Sequence, residues 1–309
     1  MTTRGIITLI ASVATLMLVG AGCGGGDDGG GVITADGSST VGPFTTKAAE
    51  DFRAESPDVQ ITVGISGTGG GFERFCVGET DLSNASRQID EDEAAICEEN
   101  GIEYVELQVV LDAMTNVVNP ANDWATCLTV EQLNAIWEPG STVNNWNQVD
   151  DSFPDVPLSL FGPGTDSGTF DYFTDAINGE EGASRTDFSP SEDDNVIVQG
   201  VSGERGGLGY FGFSYFEQNQ DRLRALEVDG GGGCVAPSAE AAQDGTYTPL
   251  SRPLFIYVNT GSLGDNESLQ DFLRFALENE PAIAEAALYV PMSQEQIDEQ
   301  LAALEEAIG

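Results

Sequence analysis

The sequence predicts an α/β protein built as two lobes with a ligand cleft between them, on three observations. Strand-like and helix-like segments alternate from Val32 to the C-terminus, a grammar that produces open α/β sheets. A chain of 309 residues is long enough for about two domains at roughly 150 residues each. The same Gly-Ser/Thr chemistry recurs three times, each time between a strand pattern and a helix pattern, and the carboxyl ends of strands are where open α/β sheets bind ligands.

The first segment is an address. Arg4 precedes an apolar run from Ile6 to Val19, broken only by Thr8, Ser12 and Thr15, and Gly20-Ala21-Gly22-Cys23 follows. The run is too short and too weakly flanked for a stable membrane span and reads as a secretory signal. Small residues ahead of a cysteine look like a bacterial lipoprotein cleavage site, with Gly20 where such sites usually carry a Leu-like residue. Residues 1–22 are therefore expected to be removed, Cys23 to be lipidated, and residues 23–31, rich in Gly with Asp27 and Asp28, to form a flexible tether. The expected location is outside the cytoplasm, anchored to a membrane.

From Val32 the elements follow in order. Val32–Ala35 reads as a strand, and Phe44, Ala48, Ala49 and Phe52 recur at helical spacing until Ser56-Pro57. Val59–Ile65 alternates as a strand, Gly67–Gly71 reads as a loop leading into a helix over Phe72–Val77, and Asp81–Ala85 is a third strand. Asp90–Asn100 is an acidic helix closed by Asn100-Gly101. Ile102–Leu111 and Met114–Val118 are strand-like, with Asp112-Ala113 between them. Thr129 caps a helix through Trp137, Pro157–Phe161 is a strand, and Thr169–Ile177 and Asp193–Gly200 are helical. Gly207–Phe213, Leu223–Val228 and Arg252–Asn259 are strands, Gly230–Gly233 is a surface loop, and helices over Glu267–Asn279, Ala282–Leu288 and Ser293–Ile308 finish the chain.

Composition excludes more than it selects. There are 52 acidic residues against 11 basic ones and no histidine, a formal net charge of -41. Without imidazole there is no Ser-His-Asp or Cys-His nucleophile and no His-based metal site. Lys47 is the only lysine, so the clustered cations that hold a phosphate backbone are missing and nucleic acid is excluded as a partner. The acidity fits a solvated surface or adaptation of an exported protein to high salt; neither is a function. Apart from Cys23 the cysteines are Cys76, Cys97, Cys127 and Cys234. An even number in an oxidising compartment reads as two disulfides, with three pairings possible. No metal is expected, because no cysteine pair has close ligand spacing.

The informative chemistry lies in Gly37-Ser38-Ser39-Thr40, Ser66-Gly67-Thr68-Gly69-Gly70-Gly71 and Thr165-Asp166-Ser167-Gly168-Thr169. A helix N-terminus offers free N–H donors and partial positive charge, glycine lets the backbone approach a ligand, and Ser or Thr adds a hydroxyl. That is equipment for an oxyanion, although each loop alone also reads as an ordinary N-cap. Arg87, directly after the strand Asp81–Ala85, is the candidate cation, with a surface salt bridge as its plain alternative. Arg185 is a weaker second. Asp166-Ser167-Gly168 has the look of a serine nucleophile loop but lacks a base. Glu192-Asp193-Asp194 reads as helix N-terminal charge rather than a calcium site.

Together these motifs, with Asp81–Arg87, Gly162–Phe170 and Gly207-Leu208-Gly209-Tyr210, resemble the phosphate-binding proteins of bacterial high-affinity phosphate ABC importers, over essentially the whole chain from Val32. The resemblance implies a type II periplasmic binding protein fold, no enzymatic activity and no cofactor. It implies inorganic phosphate as ligand, permease subunits in the membrane as partners, and a monomer. It places ligand donors on Ser39 and Thr40, on Thr68 and Gly69 with Ser66 as the alternative, and on Ser167, Gly168 and Thr169. Some members of the family carry an aspartate, the acceptor of the phosphate proton, where Arg87 stands, and an arginine where Pro163 stands. The cation has thus changed lobes and the acceptor has left its usual place, which makes Asp166 the candidate replacement. The expected division is residues 32–112 plus 251–309 in lobe one and 113–250 in lobe two. The alternatives are the same fold binding sulfate or another tetrahedral oxyanion, and a secreted serine hydrolase acting through Ser167.

Overall fold

The computed structural model describes residues 31–165 and 167–309. The signal segment, Cys23 with nearly all of the tether, and Asp166 lie outside the described residues. The first half of the chain runs β1 (Val32–Gly37), α1 (Gly42–Glu55), β2 (Gln60–Val63), α2 (Gly67–Phe75), β3 (Leu82–Ala85), α3 (Glu91–Glu99) and β4 (Tyr104–Val118). The middle follows as β5 (Cys127–Thr129), α4 (Val130–Trp137), β6 (Ser159–Gly162), α5 (Gly168–Asn178), β7 (Ser189–Pro190), α6 (Asp194–Gly203), β8 (Gly207–Gly212) and α7 (Phe213–Glu217). Next come β9 (Arg224–Ala225), β10 (Glu227–Asp229), β11 (Cys234–Val235), α8 (Ala239–Gln243) and β12 (Ser251–Asn259). Four helices close the chain: α9 (Thr260–Asp265), α10 (Glu267–Glu278), α11 (Glu280–Ala286) and α12 (Gln294–Ile308).

Sequence chemistry explains where these elements start. α1 buries Phe44, Ala48, Ala49 and Phe52 on one face, the residues whose spacing predicts it. Asp90 and Glu93 form a reciprocal capping box at α3, and Thr129 and Gln132 form another at α4, each satisfying two backbone donors that would otherwise be orphaned.

The strands join in one path, β2-β1-β3-β12-β4-β8-β6-β7, with β9 also on β4, beside a small sheet β11-β10-β5. β1 pairs parallel with β2 and β3, and β6 pairs parallel with β8. β12 and β4 are antiparallel and run through the middle. One core gathers Phe44, Phe52, Leu107, Val110, Leu254, Phe272 and Leu304. The other gathers Trp137, Trp146, Leu160, Phe173, Leu208 and Tyr210. Ala113 belongs to the first and its neighbour Met114 to the second. The molecule is therefore two-lobed, with β4 common to both lobes.

The structure departs from the sequence expectations at three places. No break occurs at Asp112-Ala113: β4 is continuous for 15 residues. Asp112 sits opposite Arg252 in the β12 ladder, and their ion pair at 3.3 Å keeps both strands in register. The stretch Gly67–Gly71 is not a loop but the opening turns of α2. A Cβ on Gly71 would fall 2.6 Å from Gly37 Cα and 2.8 Å from Ser83 Oγ, so the glycine serves close packing of helix on sheet. Leu223–Val228 divides into β9 on β4 and β10 on β5, because buried Leu226 donates its N–H to Asn116 O at 2.8 Å while the chain changes sheet.

Of the three possible cysteine pairings, the structure has Cys76–Cys97 and Cys127–Cys234. The first ties the end of α2 to α3, and the second joins β5 to β11. No described helix is long and apolar enough to cross a membrane.

Candidate functional site

A cavity of about 320 Å3 opens between the lobes at the carboxyl ends of β1 and β3. Its first wall is the turn after β1. Gly37 adopts φ +131°, a conformation only glycine takes easily, and a Cβ there would meet Asn84 O at 2.2 Å. Ser38 Oγ accepts from Thr40 N at 3.1 Å and from Val41 N at 3.4 Å, while Tyr289 donates its hydroxyl to Thr40 O. These bonds hold Ser39 and Thr40 at the cavity surface, just ahead of the N-terminus of α1.

The second wall is the first turn of α2, where Ser66, Gly67, Thr68 and Gly69 line the cavity. Ser66 makes no side-chain capping bond, so the first-turn N–H groups face the cavity end of the helix. Thr68 Oγ1 accepts from Ser86 N at 3.1 Å and lies 2.9 Å from Ser86 Oγ, which links α2 to the segment after β3.

Two arginines border this donor set. Arg87 lines the cavity, with its guanidinium forked onto Glu93 at 2.7 and 2.8 Å; the hydrogen bond to Glu93 raises its pKa further above the ordinary value. Its side chain is 46% exposed. Arg252 is more enclosed, at 19%. It reaches Asp112 Oδ2 through Nη2 at 3.3 Å, donates Nη1 to Ser86 O at 3.3 Å, and stacks 3.6 Å over the Tyr172 ring of lobe two. Burial pushes the Asp112 carboxyl up, against the opposing pull of Arg252.

Lobe two contributes Asp171, Tyr172, Asp175 and Glu181 to the lining. Ser167, Gly168 and Thr169 are at the start of α5 but are not among the residues lining the cavity. Ser167 Oγ accepts from Thr169 N at 3.2 Å as the helix cap, and a Cβ on Gly168 would fall 2.7 Å from Thr40 Oγ1. The start of α5 therefore abuts the first wall directly. Arg185 is a correction to the sequence expectation. It is 6% exposed and donates to Ile136 O, Val143 O and both carboxylate oxygens of Asp187, so its donors are committed inside lobe two and it is absent from the lining. Arg252, Asp171 and Tyr172 also line the cavity without standing out in the sequence. The available signal was scarcity: Arg252 is one of 11 cations against 52 acids, placed at the start of a core strand.

The arrangement offers hydroxyls, backbone N–H groups at the start of α2 and two guanidinium groups. That set suits a small, compact oxyanion. Among the described residues, the grouping with metal-ligand spacing is Cys127, Glu227 and Cys234, and its two sulfurs are joined in a disulfide, which removes the thiolates a metal needs.

The PBP superfamily domain matches residues 24–280. The chain belongs to the PBP superfamily. Within it, the chain is 50% identical over 265 residues to Protein SphX of Synechocystis sp., covering 85% of this chain and 79% of that protein. It is 40% identical over 300 residues to the phosphate-binding protein PstS of Staphylococcus saprophyticus, covering 96% and 92%. A crystal structure described as a possible phosphate binding protein from Planctomyces limnophilus superposes with a TM-score of 0.85 at 44% identity, covering 90% of this chain and 99% of that one. This PBP superfamily member therefore has the type II periplasmic binding protein fold, with the cavity in the cleft between its lobes.

Proposed function

We propose that the protein captures inorganic phosphate outside the cytoplasm and delivers it to the permease of an ABC importer. The observation that carries this reading is the cavity itself: hydroxyls, the N-terminus of α2 and two arginines gathered between two lobes, in a chain whose relatives are named phosphate-binding proteins. Ser39, Thr40, Ser66, Thr68, Gly69 and Arg87 bind the anion from lobe one, residues 32–112 with 251–309. Arg252 joins them from β12. Ser167, Gly168 and Thr169 reach it from lobe two, residues 113–250, as the cleft closes about the crossovers. Each lobe holds part of the shell, so ligand favours the closed form that a transporter can recognise. Cys23 carries the lipid anchor, and the receptor works as a monomer without catalysis. The hydrolase alternative lacks support: Ser167 Oγ serves as a helix cap and no histidine exists to activate it.

Titration calorimetry of the signal-free protein, stripped of ligand, with phosphate and then sulfate tests the reading. Tight phosphate binding with little sulfate heat is expected; silence toward phosphate overturns it. Arg87→Ala is expected to weaken phosphate by more than about tenfold, the scale of one charge-assisted hydrogen bond. An unchanged affinity would remove Arg87 from the site.

A further inference from the structure

A second cavity, of about 760 Å3, lies in the same cleft. It shares Ser86, Arg87, Tyr172, Asp175 and Arg252 with the anion cavity, so the two are neighbours across a single layer of side chains. Arg87 and Asp175 in that layer are exposed and can swing aside without disturbing a core. A lone anion leaves much of the space unfilled. At about 30 Å3 per water, even the smaller cavity, of about 320 Å3, has room for roughly ten waters, whereas a tetrahedral oxyanion has only a central atom and its oxygens. The second cavity by itself has the size of a site for an organic ligand, roughly 300–1,000 Å3.

Beyond the shared layer the lining changes character. The hydroxyls and backbone N–H groups of the anion cavity give way to the amides of Gln88, Gln108 and Gln300 and the carboxylate of Glu106. Gln88 Nε2 donates to Glu106 Oε1 at 3.0 Å, and Gln108 N donates to Gln300 Oε1 at 3.0 Å, so these groups are held in place. Gln108 Nε2 is enclosed without a hydrogen-bond partner among the described residues, although a buried donor normally has one. Tyr172 and Phe255 add aromatic surface. Groups that both donate and accept, beside aromatic rings, suit a neutral carbon skeleton carrying several hydroxyls. Glu106 and Asp175 act against a second anionic group in the same space.

We propose that the cleft also takes a phosphate monoester of a small polyol or sugar, with the phosphoryl group in the anion cavity and the hydroxylated substituent in the second cavity. The proposal rests on the phosphate reading above and extends it to a class of organic ligand. Arg87 and Arg252 line both cavities, so their guanidinium groups stand where the phosphoryl group meets its substituent. A monoester keeps three terminal oxygens for the donors of the anion cavity, and its ester oxygen leads into the neighbouring space.

Calorimetry of the signal-free protein, stripped of ligand, tests this at about pH 7.5, where a monoester is mostly dianionic. The ligands are inorganic phosphate, glycerol phosphate, and propyl phosphate, which has the same carbon chain without hydroxyls. Glycerol phosphate is expected to bind at least about tenfold more tightly than propyl phosphate, the scale of one or two hydroxyl hydrogen bonds. Ala303→Phe, on the α12 wall of the second cavity, fills that space. It should weaken glycerol phosphate by at least about tenfold and change inorganic phosphate by less than about threefold. Gln300→Phe fills the space from the same helix and carries the same expectation if Ala303→Phe does not fold. Binding of inorganic phosphate with none of glycerol phosphate would overturn the proposal and leave the phosphate reading standing. Equal affinity for the two esters, or equal weakening of phosphate and glycerol phosphate by the filled variant, would overturn it as well. Silence toward all three ligands would overturn the phosphate reading first, and this proposal with it.

Discussion

Replacing Arg252 by Gln should damage stability and binding for separable reasons. The Arg252–Asp112 pair is largely enclosed, with side chains 19% and 11% exposed. Removing one partner of such a pair leaves a buried charge and costs about 3–5 kcal/mol. The lower figure applies here, because the bonds are long at 3.3 and 3.4 Å. Lost stacking on Tyr172, at 3.6 Å, adds about 1 kcal/mol. Loss of a guanidinium hydrogen bond to the ligand costs about 1.5–3 kcal/mol, or roughly 10- to 150-fold in affinity.

The double variant Asp112→Asn with Arg252→Gln separates the two effects. With neither charge present, urea unfolding should return to within about 1–2 kcal/mol of wild type, while phosphate affinity stays low. The single variant also has a pH signature. Its buried Asp112 would have a folded pKa above the unfolded value, so the penalty is absent where the carboxyl is protonated in both states. It grows as pH rises from the unfolded pKa to the folded one and is complete above that. Acidification should therefore narrow the stability gap between Arg252→Gln and wild type. A double variant that regained phosphate affinity along with stability would refute the reasoning, leaving Arg252 as no more than a counter-ion for Asp112.

Glu280 has no exposed surface, and burial raises its pKa to about 7. Charging it therefore destabilises the fold increasingly from the ordinary carboxylate range up to about pH 7. Glu280→Gln should gain about 2–3 kcal/mol in denaturant unfolding at about pH 8 and almost nothing at about pH 4. Replacing Cys76 and Cys97 by Ser opens a loop of sequence separation 21 and should cost about 3 kcal/mol by loop entropy. Phosphate affinity should change by only a few-fold, because Thr68 remains bonded to Ser86. Raising NaCl from about 0.05 to about 1 M should raise the melting temperature as surface acids are screened, and a flat response would show that the net charge of -41 does not burden the fold.

Local patterns in the chain were readable where they carry their own chemistry. Phe44, Ala48 and Phe52 announce α1, and Thr129 with Gln132 announces α4, because periodicity and capping are short-range properties. The loop Gly37–Thr40 could be found for the same reason, whereas the glycine run Gly67–Gly71 reads as a loop and hides the opening turns of α2. Arg252, Asp171 and Tyr172 could not, since their roles depend on contacts between distant parts of the chain: Arg252 lies 140 residues from Asp112. Arg87 and Arg185 show the reverse limit. Both follow an identical Ala-Ser pair, yet one opens onto the cavity and the other is enclosed by carbonyls of lobe two. Sequence context identified two cations, and only the fold could say which lined the cavity.

An anion receptor with so acidic a body needs a local solution, and the cavity has one that does not depend on net positive charge. Both arginines already have acidic partners: Glu93 for Arg87 and Asp112 for Arg252. Counting Asp171, Asp175 and Glu181, the lining and its immediate partners are net negative, so long-range attraction cannot explain binding. What remains acts at contact distance. Helix N-terminal N–H groups, the hydroxyls of Ser39, Thr40 and Thr68, and guanidinium donors each act on an oxygen a few ångströms away, whereas surface carboxylates beyond about 8 Å are screened at physiological salt. The same arrangement favours selectivity. A strongly cationic cavity would hold any oxyanion of the right size, but one balanced by acids must be satisfied bond by bond.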